Sequence, residues 1–135
     1  MLLNKFVRSA WIKEEYTMEE SHATYVQHLI EAILTSPGDT EPAVRRAAEA
    51  LSAQLSGRHS SQTDTIPPEL ISYVKKIALH AYKTTDEDIE ALLKAGYSED
   101  AIFEITVSAA LGAGMARLER GLVALKGDKE ELITP

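Results

Sequence analysis

Apolar residues recur every three or four positions along almost the whole chain, and no stretch holds the two-residue alternation of a strand for long. Leu3, Phe6, Val7, Ala10 and Trp11 share one helical face near the N-terminus. This arm is suited to packing on its own core or on a neighbouring subunit. A membrane-surface anchor is the competing reading, opposed by Glu14 and Glu15, which follow at once. Thr17 and Glu20 have the spacing of a capping box. Tyr25, Val26, Leu29, Ile30, Ile33 and Leu34 then carry a second helix as far as Pro37 and Gly38. A third helix opens at Glu41 and Pro42 with the stripe Val44, Ala47, Ala48, Leu51 and Leu55, and Gly57 is its natural stop.

The polar segment GRHSSQTDT, residues 57–65, reads as a flexible loop. IPPEL opens a fourth helix, with Leu70, Ile71, Val74, Ile77, Ala78 and Ala81 turned inward. Thr84 or Thr85 caps a short fifth helix ending at Gly96. Ser98 caps the last helix, expected to run to about Lys126, before Gly127. It is apolar nearly all round from Ala101 to Met115, so more than one side needs burial. Ala109, Ala110, Gly112, Ala113, Gly114 and Ala116 would let neighbouring helices approach closely. The pattern predicts an all-α fold of about six helices. It forms a single domain over 1–135, comprising an N-terminal helical region (1–66), a core (67–126) and a tail (127–135).

Charge narrows the function classes. A net charge of −7 lacks the basic face that nucleic acid requires and disfavours attachment to anionic lipid. The chain contains no cysteine, which removes disulfides, thiolate metal sites and thiol nucleophiles together. Lys5, Arg8 and Lys13 interrupt the apolar pattern of the N-terminus, so no cleaved leader is expected. The most apolar stretch, AIFEITVSAALGAGMA, carries Glu104 and is short for a bilayer span. The expectation is a soluble, cytoplasmic protein.

From residue 67 to 126 the chain resembles the AhpD-like, or carboxymuconolactone decarboxylase-like, superfamily. The residues that carry the resemblance are PPEL opening a helix, the short helix after it, and LLKAGYSEDAIFEITVSAALGAG. Redox members of that family have a Glu, eleven residues, Cys-x-x-Cys, three residues and a His, then Ala-Gly before a capped helix. On that spacing the Glu falls at Glu69, the cysteines at Ala81 and Thr84, the histidine at Asp88, and Ala-Gly at Ala95 and Gly96. Both sulfurs and the histidine are replaced, so the resemblance implies the family's helical fold without its thiol chemistry. It also implies a homo-oligomer, a trimer or hexamer, assembling through apolar helices. Where a helix start could stabilise a thiolate, the sequence reads TTDED, with Thr84 and Glu87 at capping-box spacing.

The chemistry that remains is acid/base. Glu69 is either a helix-dipole residue in a first turn or a proton-transfer group kept from the family frame. His80, beside the vacated cysteine position, is either a helix-end histidine or a general acid/base. Tyr82 either covers the core edge or donates a hydrogen bond. Glu69, His80 and Tyr82 are therefore the candidate catalytic residues. On one straight helix Glu69 and Ala81 would lie about 18 Å apart, so a shared site needs a bend or a second subunit. His22, His28, His59 and His80 show no metal-ligand spacing, and no cofactor motif is present. Three functions follow: a cysteine-free binding or assembly module with a small organic ligand as its candidate partner, an acid/base enzyme acting on a small organic acid or lactone, or a peroxidase-type oxidoreductase. The missing thiols oppose the third.

Overall fold

The computed structural model describes the backbone of residues 13–59 and 65–133, and the side chains of residues 22–59 and 65–127. The N-terminal arm expected at residues 3–11 and most of the polar loop lie outside the described residues. Within them are five α-helices: α1 Lys13–Thr35, α2 Pro42–Leu55, α3 Pro68–His80, α4 Asp86–Lys94 and α5 Glu99–Ile133. A single 3-10 turn, Ala81–Lys83, joins α3 to the loop before α4. No strand occurs among the described residues, as the periodicity requires.

Two boundaries differ from expectation. α1 starts at Lys13, which puts the Thr17 capping pair inside the helix. No Gly or Pro separates residues 13 and 17, so nothing local forces a break. α5 runs through Gly127 to Ile133, so the segment expected as a tail is largely helical. One interior glycine costs a helix only about 1 kcal/mol, too little to end one this long.

The two expected glycine stops are real. Gly57 and Gly96 have φ of 109° and 103°, a left-handed conformation that a Cβ disfavours. After each, the next amide reaches back across the last turn: Arg58 N–H to the Ala53 carbonyl at 2.9 Å, and Tyr97 N–H to Leu92 at 3.1 Å. This satisfies end-of-helix carbonyls that would otherwise lack donors.

α5 is the central element and packs most extensively on α2. Thr40, just before α2, meets Glu104 near the start of α5, and Arg58, just past α2, meets Glu119 further along it, so α2 and α5 run parallel; between these ends Ser52 Oγ donates to the Ala109 carbonyl at 2.5 Å. Gly112 of α5 lies directly against the Glu49 carbonyl of α2, where any Cβ would collide with backbone. α3 also runs parallel to α5, through Tyr73 with Thr106 and then Arg117 with the Ala78 carbonyl. Leu70, Tyr73, Val74, Leu92, Ile102 and Ile105 form the core with Ala48 and Ala109. Burying a side chain of the Leu or Ile kind contributes about 1.5–3 kcal/mol. Ala81, expected inside, is exposed because the helix has already ended. The core is thin: ten of the sixteen buried apolar residues among those described are alanines. The stretch Glu99–Gly127 of α5 is long and apolar enough to cross a membrane by length and composition, with 44% of its most apolar window buried in the fold.

Candidate functional site

Pro68 sets the first turn of α3 and leaves Glu69 in that turn, fully exposed. Its partner comes from the turn after α4. Gly96 reverses the chain there, and the Tyr97 hydroxyl donates to Glu69 Oε1 at 2.7 Å. The Tyr97 bond and a backbone amide hold the Glu69 carboxyl below its ordinary range. Burial and that same bond push the Tyr97 phenol up to about 12. The pair is a carboxylate with a firmly protonated phenol. Beside Tyr97 opens a cleft of about 370 Å³, lined also by Asp39, Thr40, Glu41, Val44 and Ser98.

His80 and Tyr82 lie elsewhere. α3 is continuous from Pro68 to His80, so Glu69 and His80 stand at its opposite ends, about 16 Å apart along the axis. His80 is exposed and meets the edge of the Tyr82 ring at 6.1 Å between centroids. Tyr82 is 81% exposed, with Lys83 Nζ 5.8 Å from its ring centre. Within one chain the structure joins His80 to Tyr82 and leaves Glu69 apart.

The capping box at the start of α4 is shifted by one residue from the sequence reading. Thr85, rather than Thr84, is the cap, and its N–H donates to Asp88 Oδ2 at 2.9 Å. The same carboxylate accepts from Lys76 Nζ at 2.8 Å. The Lys76 bond, then the Thr85 amide, hold the Asp88 carboxyl below its ordinary range. Asp88 thus fastens α4 to α3. Thr84 has its hydroxyl buried without a hydrogen-bond partner among the described residues.

Two polar constellations escaped the sequence reading. Arg45, only 3% exposed, donates to the carbonyls of Ile33 (2.7 Å), Ser36 and Thr40 and so closes the C-terminal end of α1. Glu104 accepts from the Asp39 amide (2.9 Å), the Thr40 amide (2.8 Å) and the Thr40 hydroxyl (2.6 Å). Burial alone would raise the Glu104 carboxyl, but these donors and the Arg45 charge reverse that and hold it below its ordinary range. The second constellation is an ion triad. Arg58 Nη1 reaches Glu49 at 2.7 Å, while Nε and Nη2 grip Glu119 at 3.2 and 3.0 Å. Burial pulls the Arg58 guanidinium down, and the hydrogen bonds to Glu119 and Glu49 more than offset it. The only sequence hint was a short loop between two helices with an acid in an otherwise apolar stretch.

All four histidines are exposed, and the described residues contain no cluster of three or more His, Cys, Asp or Glu that could hold a metal. No family model, curated protein or solved structure matches the chain.

Proposed function

We propose that this chain is an AhpD-like helical protein whose thiol chemistry has been lost and which acts as an assembly module. The reading rests on one observation, the second apolar face of α5. Ala101, Ile105, Ala109 and Ala116 face the core. Turned the other way, at helical spacing, are Phe103, Val107, Ala110, Gly114, Leu118 and Leu125. Phe103 is 68% exposed, Leu125 58% and Leu118 45%, while alanines fill the interior. An apolar helix face this long calls for a covering surface. A second copy of the same face fits, because Ala110 and Gly114 permit close approach and Gly114 has nothing within 4 Å of its missing Cβ. Family likeness adds the expectation of three or six copies.

Light scattering at micromolar concentration should give a multiple of the 14.8 kDa chain mass. Gly114→Glu and Phe103→Glu should each shift it towards the monomer. A wild-type protein of single-chain mass rejects the reading.

Acid/base turnover of a small organic acid or lactone is a second reading, favoured by the Glu69–Tyr97 pair beside its cleft. It draws on His80 only if another copy supplies it. Turnover that persists undiminished in Glu69→Gln would remove that residue from the reaction.

A further inference from the structure

α2 ends at Leu55, but the face of α5 that it covers continues beyond, through Ala116 and Val123. The chain passing Gly57, Arg58 and His59 overhangs this continuation and leaves a cleft of about 420 Å³. That volume lies within the roughly 300–1,000 Å³ of ordinary small-ligand sites. Val123 and Ala124 supply exposed apolar surface beside the cleft, over Ala116, which is fully buried beneath them.

The charged walls are unequal. Arg58 is committed to Glu49 and Glu119 and cannot turn to a ligand without losing them. Arg120 has no hydrogen-bond or ion-pair partner among the described residues. Its aliphatic stem lies against Gly57, where an added Cβ would stand 2.5 Å from Arg120 Cδ. Gly57 therefore serves twice, as helix stop and as the space that lets Arg120 fold over the cleft. Two arginines against Glu119 leave the lining with one positive charge, on a chain whose net charge is −7.

We propose that this cleft binds a short-chain aliphatic monocarboxylate, its carboxylate on the Arg120 guanidinium beside His59 and its chain on Val123 and Ala124. A planar guanidinium matches a carboxylate in two-pronged fashion. A dianion would meet Glu119 in the wall and Glu49 behind Arg58. A cation would meet Arg120 at the mouth. The site is independent of the assembly reading, since it lies on the core-side face of α5 and the proposed seam lies on the opposite face.

The test is a titration of ¹⁵N-labelled full-length protein with butyrate, pentanoate and hexanoate, with hexylamine and hexylphosphonate as comparisons, followed in amide correlation spectra. Saturable shifts should centre on residues 57–59 and 116–124, with affinity rising up to about fourfold per added methylene. Arg120→Gln should weaken hexanoate about tenfold, while Arg120→Lys should lose less. Arg120 is exposed, so both variants should keep the wild-type spectrum elsewhere. The proposal is overturned if hexanoate produces no saturable shifts there or binds Arg120→Gln unchanged. It is equally overturned if hexylamine or hexylphosphonate binds as tightly.

Discussion

Glu104 and Glu69 are both glutamates near the start of a helix, and both carboxyls are held below their ordinary range. Glu104 receives three donors from a loop more than sixty residues away in sequence and lies near the buried Arg45. Glu69 receives one phenol and faces solvent. The difference is in what each carboxylate fastens. Glu104 and Arg45 tie the α1–α2 connection to α5, so losing either should loosen the fold. Glu69 ties down one side chain, so losing it should leave the fold nearly intact.

The largest expected effect is at Arg45. Arg45→Ala strands the carbonyls of Ile33, Ser36 and Thr40 and removes a buried charge near Glu104. It should cost about 3 kcal/mol in urea unfolding. A loss under about 0.5 kcal/mol would erase the contrast between the two regions.

Next comes acid. Glu104 has a folded-state pKa below its unfolded value, so its stabilisation is complete above the unfolded value of about 4.5. It is lost as pH falls from there through the lower folded value. Glu104→Gln should cost about 1–2 kcal/mol at neutral pH and flatten the acid limb of the stability curve. An acid limb identical to wild type would mean that other carboxylates carry it.

Tyr97 gives a smaller effect of opposite sign. Its phenol is raised to about 12, so its contribution is present below the unfolded value near 10 and fades as pH climbs through about 12. The Tyr97 phenol, identified as the near-UV titration signal lost in Tyr97→Phe, should ionise late, and Glu69→Gln should bring it earlier. Tyr97→Phe should cost less than about 1 kcal/mol.

Smallest of all are His80→Asn and Tyr82→Ala, each expected within about 0.5 kcal/mol of wild type, because both side chains are exposed. A larger loss in the assembled protein, absent in a Gly114→Glu monomer, would place the 80–82 turn at a contact between copies.

What the sequence by itself determined is local. Periodicity of 3.6 residues, proline in a first turn and glycine past a last one all act within a few residues. The helices, the stops at Gly57 and Gly96 and the two-sided apolarity of α5 were therefore legible. Even the one-residue shift from Thr84 to Thr85 shows the limit. TTDED offers two overlapping capping boxes, and Lys76 on another helix accompanies the one that uses Asp88. The rest was decided in three dimensions. An arginine in an amphipathic helix reads as solvent-facing, and only the placement of α1 beside α2 turns Arg45 into the cap of another helix. Glu104 reads as an interruption in an apolar run until the loop at Asp39 and Thr40 closes on it. Glu69 stood out by its spacing from an absent motif, yet its partner Tyr97 lies 28 residues further on and meets it only after α4 turns the chain back. Which apolar side of α5 becomes the core is likewise tertiary, because both sides satisfy the same spacing and only α2 and α3 choose between them.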